Sequence, residues 1–191
     1  MTGIHPALLG EAAIWYVVFL FSLTIHEAAH ALVAHLGGDH TAYQGGQVTL
    51  NPVPHMAREP MGTILLPFLS FFTMGWMMGW ASTPFDPVWG RRYPRRQALM
   101  SLAGPAGNLT VAFGAWAALR LLLATGVLVA PEQISFSHLV APPAGTPLES
   151  LLTPVALLLS VALGLNVLLG LFNLLPLPPL DGAGVLEGLF P

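Results

Sequence analysis

His26-Glu27-Ala28-Ala29-His30 is a stretch whose residue types and spacing could do chemistry. On a helix, positions i and i+4 share one face, so the two imidazoles can bind one ion. Glu27 sits beside them, placed to take a proton from a water acidified by that ion. This points to metal-assisted hydrolysis. The plainer alternative is a polar helix–helix contact, with His–Glu hydrogen bonds joining a bundle. Location favours the first reading. The pattern interrupts an apolar run from about 12 to 36, and ionisable groups inside such a span are costly enough to signal function.

A catalytic zinc keeps three protein ligands and one open position. The chain has no cysteine, so the third ligand must be His, Asp or Glu. Asp181 stands out because it follows the uncharged run 151–180, within Asn173-Leu-Leu-Pro-Leu-Pro-Pro-Leu-Asp181-Gly182. Three prolines interrupt backbone hydrogen bonding there. Broken backbone at membrane depth is tolerated only where it lines a protein cavity. An ordinary loop carboxylate remains the other reading of Asp181. His35, His40 and His55, with Asp39 among them, read as residues flanking the first helix, with a second metal site as the alternative. His5 and His138 read as loop residues.

The elements that must position these groups belong to a membrane protein. Of 191 residues, 8% are charged and 54% hydrophobic, against roughly a quarter charged in a soluble domain. Six basic and nine acidic side chains cannot clothe such a chain in water, which excludes a soluble monomer and a disordered chain. A net charge of −3 without any lysine argues against nucleic-acid binding. Apolar segments near or above the roughly 20 residues of a span lie at 12–36, 61–82, 98–129 and within 151–180. Between the first two, Tyr43, Gln47, Val48, Thr49 and Leu50 alternate around Gly45-Gly46, which predicts a short β-hairpin. Trp76, Trp80 and Trp89 read as interfacial anchors. Arg91, Arg92, Arg95 and Arg96 put 83–97 on the cytoplasmic side. The expected fold is an all-α integral membrane protein. It is a polytopic helix bundle forming a single domain over 1–191, with one extra apolar helical or re-entrant segment and the hairpin after the first helix.

Three motifs together are far more specific than the first alone. His-Glu-x-x-His lies in a membrane helix, and Gly104-Pro105-Ala106-Gly107-Asn108 opens a later one. With Asn173-x-x-Pro-x-Pro-x-Leu-Asp181-Gly182 they resemble, in order and over most of the chain, the site-2 protease family of intramembrane zinc metalloproteases. The resemblance implies His26, His30 and Asp181 as ligands of one zinc per chain, and Glu27 as the catalytic glutamate. It also implies a three-helix core around the metal and cleavage of a substrate's transmembrane helix. No PDZ-like domain is expected to select substrates.

A helical substrate must unwind to be cut, and strand addition would hold it. The candidate edges are the hairpin at 43–51 and the bent backbone at 173–179. Asn173, Pro176 and Pro178 are therefore candidate substrate-binding residues, with capping of the broken helix as the other role for Asn173. Asn108 is expected to serve close helix packing, with Gly104 and Gly107 letting backbones approach. Partners are transmembrane protein substrates and the lipid bilayer, and oligomeric state is not readable. The compact design and lack of targeting signals favour a prokaryotic plasma membrane.

Because ligands lie about 2 Å from zinc, His26 and His30 must share the depth of Asp181, toward the cytoplasm. The N-terminus is then outside, and 61–82 re-enters, bends back or lies against the core. The rival is four plain spans with the N-terminus inside. Competing functions are a catalytically silent zinc-binding scaffold and a metal transporter. The transporter is disfavoured by a single ionisable cluster and no repeat.

Overall fold

The computed structural model describes residues 6–190. Helix α1 spans Pro6–Leu36 and carries the His-Glu-x-x-His pattern. Two short helices follow, α2 (Thr41–Gln44) and α3 (Pro52–Arg58). A π-helical turn, Met61–Leu65, runs directly into α4 (Leu66–Met74). Residues 75–86 are not helical. Next come α5 (Pro87–Arg92), α6 (Pro94–Ala124), α7 (Glu149–Asn173) and α8 (Asp181–Leu189).

At 1.5 Å per residue, α1 and α6 are about 46 Å long and α7 about 38 Å, more than the roughly 30 Å of a hydrocarbon core. These three helices are long and apolar enough to cross a membrane. Helix α6 packs on both α1 and α7, and α1 also touches α7. Gly107 and Gly170 make close approaches possible: a Cβ on Gly107 would sit 3.1 Å from Ile25, and one on Gly170 2.9 Å from Leu109. Trp15, Phe19, Leu23, Val161 and Leu165 form the apolar centre, joined by Phe71 and Met77 from the segment between α1 and α6. Val17, Phe21, Phe113, Trp116 and Leu171 stay exposed on the three long helices, as lipid-facing side chains should. The protein is an all-α membrane protein.

The predicted β-hairpin is absent. Residues 37–59 form α2 and α3, with no strand among the described residues. Gly45 and Gly46 act as a helix stop, Gly46 taking φ 71° after α2. Asn51 then caps α3, its side chain accepting from Val53 N, with Pro52 in the first turn. Within the alternating stretch Gln47 is buried while Tyr43 and Leu50 are exposed, with no strand to pair them.

The second apolar segment, expected to re-enter, bend back or lie against the core, does not form one long helix. Its helix ends at Gly75, which adopts φ 80°, leaving about 21 Å of helix from 61 to 74. Residues 75–86 then lead back. A Cβ on Gly79 would collide with Gly62 O, so outgoing and returning chain touch. Trp89 Nε1 and Arg96 Nη1 both donate to Gly37 O, at 3.0 and 2.9 Å. The C-terminal end of α1 and the start of α6 therefore lie together. The chain between them leaves from and returns to one end of the bundle. Trp89 is buried in that junction and so is not an interfacial anchor.

Candidate active site

Helical periodicity puts the imidazoles of His26 and His30 on one face of α1, with Nε2 atoms 3.0 Å apart. Asp181 opens α8 and reaches both: Oδ2 lies 3.0 Å from His26 Nε2, and Oδ1 lies 3.3 Å from His30 Nε2. Among the described residues this is the one group of three or more potential ligands from His, Cys, Asp and Glu. The chain brings together residues 155 positions apart because α8 lies along the start of α6. Gly184 and Gly188 allow that contact, since a Cβ on either would press on Ser101 or on Pro94 and Ala98.

The tautomers follow from the other ring nitrogens. His26 Nδ1 lies 2.6 Å from Asn108 Oδ1, and His30 Nδ1 lies 2.7 Å from the Met100 carbonyl. Both partners only accept, so each Nδ1 carries the proton and each Nε2 presents a lone pair. Asn108 cannot flip, because its Nδ2 donates to Ser22 O (3.2 Å) and Asn166 Oδ1 (2.8 Å). Asn166 Nδ2 in turn donates to Ser22 Oγ and Ala162 O, both at 2.8 Å. This buried network joins α1, α6 and α7 and fixes the direction of every bond in it.

Two lone pairs and a carboxylate thus converge with no donor among them. Asp181 Oδ2 is buried without a hydrogen-bond partner, which is costly unless a cation is shared there. Separations of 3.0 to 3.3 Å suit ligands about 2 Å from one ion. Gly104 keeps the space open: a Cβ there would lie 2.3 Å from His30 Nε2 and 2.6 Å from His26 Nε2. The donor set, two imidazoles and a carboxylate, is one that zinc accepts. Protons and a cation compete for the same three atoms.

Glu27 is buried beside the cluster, and its Oε2 accepts from Thr83 Oγ1 at 2.7 Å. Both line a cavity of about 570 Å³ that His26, His30 and Asp181 also face. Residues 79–83 and Phe85, from the non-helical segment, form another part of the lining. One edge of this segment is occupied, with Trp80 N donating to Gly62 O (3.3 Å) and Ser82 O accepting from Gln47 Nε2 (3.4 Å). The backbone groups of Ala81 and Thr83 make no hydrogen bond to described residues.

Of the residues expected near substrate, Asn173 and Pro178 line the cavity, whereas Pro176 does not. Asn173 Nδ2 donates to Leu169 O within α7. Asn108 does more than pack helices, since it orients His26. Asn166 and Thr83 carried no expectation. An asparagine in the middle of an uncharged span was the available signal for Asn166; Thr83 had none. His35 and His40 contact each other at 2.8 Å between Nδ1 atoms, and one proton shared between them satisfies both. His55 Nε2 donates to Thr49 O, and His5 lies outside the described residues.

Curated relatives decide the family. "Putative zinc metalloprotease YwhC" of Bacillus subtilis (strain 168) is 36% identical over 176 residues, covering 92% of this chain and 68% of the relative. The chain belongs to the site-2 protease family. "Putative zinc metalloprotease Rip2" of Mycolicibacterium smegmatis is 32% identical over 172 residues, and that of Mycobacterium tuberculosis (strain H37Rv) is 34% identical over 169. The chain covers 54% of each Rip2 protein, so it spans about half their length. No protein-family model matches the chain, and no solved structure matches it. The family's metalloprotease role and its zinc agree with the donor set described above.

Proposed function

We propose that this chain hydrolyses peptide bonds within or next to transmembrane helices of membrane-protein substrates. His26, His30 and Asp181 hold one zinc, and Glu27 is the general base. The observation that carries this reading is the convergence of three donor-free ligand atoms on a cavity that Glu27 also lines.

Bound zinc supplies Lewis acidity and lowers the pKa of water from 15.7 toward about 7. Glu27 takes the proton from the attacking water and delivers it to the leaving amine. Asn108 and the Met100 carbonyl hold the imidazole protons at Nδ1, which keeps both Nε2 atoms free for the metal. Water reaches this depth along the polar part of the cavity, which Gln97, Ser101 and Glu187 line.

A helical substrate exposes no backbone to attack, so it must unwind. The free edge at Ala81 and Thr83 takes the place of the expected hairpin as the strand on which an unwound segment docks. Asn173 and Pro178 stand across the same cavity. Helices α1, α6 and α7 are the spans of a single multi-pass domain, and 61–86 re-enters. Arg91, Arg92, Arg95 and Arg96 lie at the end of the bundle where α1 stops, which favours a cytoplasmic site and an outside N-terminus. The bacterial source of these relatives supports a prokaryotic plasma membrane. A silent scaffold would close its zinc with a fourth protein ligand, whereas three potential ligands gather here.

The test is a panel of single-span peptides incubated with the purified, zinc-loaded chain and with Glu27→Gln. The expected result is cleavage by the wild type and a loss of at least about 10³-fold in the variant, because an amide of equal size cannot take the water proton. Near-normal turnover by Glu27→Gln with zinc retained removes Glu27 as the base.

A further inference from the structure

Thr83 stands in a non-helical segment 56 residues beyond Glu27 and touches it twice. Its Oγ1 lies 2.7 Å from Glu27 Oε2 and 3.0 Å from the Glu27 backbone carbonyl. Both are acceptors, so the single hydroxyl proton is shared between them. A donor that reaches the carboxylate and the carbonyl of one residue holds that side chain in one rotamer. Glu27 Oε1 accepts from no described residue and is the oxygen left to meet water.

The segment bearing Thr83 is itself tied down. Ser82 Oγ donates to Glu59 Oε1 at 2.6 Å and accepts from Arg58 Nε at 3.0 Å. Trp80 Nε1 donates to Glu59 Oε2 at 3.3 Å. On its C-terminal side, Asp86 N donates to Asp39 Oδ2 at 2.8 Å. Thr83 is thus held from both directions while its hydroxyl meets Glu27.

We infer that Thr83 is a positioning residue for hydrolysis: its hydroxyl fixes one oxygen of Glu27 so that the other faces the attacking water. This rests on the reading of Glu27 as the base. A glutamate released from this bond samples several rotamers, and a hydrogen bond to a charged group is worth roughly 10- to 150-fold. Thr83→Val keeps the shape and removes the hydroxyl, whereas Thr83→Ser keeps the hydroxyl.

The experiment uses the full chain in lipid nanodiscs with two readouts. One is the visible spectrum of the Co²⁺-loaded protein, which responds to the groups around the ion. The other is turnover of the best-cleaved peptide of the panel by the zinc-loaded protein. Thr83→Val should lower kcat about 10- to 100-fold with KM within about twofold. It should also shift the Co²⁺ spectrum in the same direction as Glu27→Gln. Thr83→Ser should restore both. Should Glu27→Gln alter spectrum and turnover while Thr83→Val alters neither, the inference on Thr83 fails and Glu27 stands. Should Glu27→Gln itself alter neither, the reading of Glu27 fails, and Thr83 with it. Loss of metal or of folding in Thr83→Val that Thr83→Ser repeats makes Thr83 structural and overturns the inference.

Discussion

The cavity has two unlike walls. On one side stand α1, α6 and α8, where His26, His30 and Asp181 are set by helical periodicity and by glycine contacts that leave no play. On the other side runs the non-helical chain 79–85, held by side chains reaching from Gln47, Glu59 and Glu27. The helical wall satisfies its backbone internally and commits its side chains to the ligand cluster. The non-helical wall leaves the backbone of Ala81 and Thr83 unpaired and depends on a few polar contacts. A metal centre needs atoms fixed to fractions of an ångström, and helices packed through glycine provide that. A docking edge needs free backbone groups and some freedom to adjust, and helices offer neither.

Substitutions can separate the walls, and the largest effect is expected on the helical side. Gly104→Ala puts a methyl group 2.3 Å from His30 Nε2, where no small shift of a packed core makes room. Zinc content measured by mass spectrometry should fall to near zero relative to the wild type, with loss of all hydrolysis. Zinc retained at full occupancy would show that the space beside Gly104 is not the metal's.

Asn108→Leu should come next. It removes the acceptor for His26 Nδ1 and leaves Asn166 Oδ1 without its donor. Zinc affinity, by competition with a chelator, should weaken about 10- to 100-fold. Stability should drop by about 1–3 kcal/mol for the stranded polar groups. An unchanged affinity would mean that the imidazole finds its orientation without Asn108.

On the non-helical wall, Glu59→Ala should release Ser82 and Trp80. Amide exchange over 76–85 should speed up by about tenfold, the worth of one or two hydrogen bonds, with zinc affinity unchanged. If zinc affinity falls as well, the two walls are one cooperative unit and the contrast drawn above is wrong.

The smallest effect concerns pH. Burial raises the Asp39 carboxyl, but hydrogen bonds from the Thr41 side chain and backbone and from Asp86 N outweigh it, so its pKa lies below the ordinary 3.8. A depressed carboxylate adds stability that is present above the unfolded pKa and lost as pH falls through the folded one. The thermal midpoint of the wild type should therefore decline below about pH 4 more steeply than that of Asp39→Asn. Parallel profiles would show that Asp39 does not anchor Asp86.

The sequence by itself carried the all-α membrane class, the long apolar helices and the pairing of His26 with His30 on one helix face. Charge is too scarce for water, apolar length matches a bilayer, and an i, i+4 pair on a helix shares a face whatever surrounds it. Those properties are local, and local physics is written in consecutive residues. Contacts between distant residues were not written there. Alternation over 43–50 resembled a strand until Asn51, Pro52 and the inward turn of His55 made it coil and helix. Apolar composition over 61–82 matches a span in length, and the expectation that it turns back rested on ligand depth alone. The contacts at the turn, a left-handed Gly75 and the close meeting of Gly62 with Gly79, were not written in the sequence. Asn108 with Asn166, and Thr83 with Glu27, meet only because three helices and one returning segment converge. A hydrogen bond between residues 56 or 58 positions apart leaves no periodic trace, so tertiary packing alone decided which polar groups orient the site.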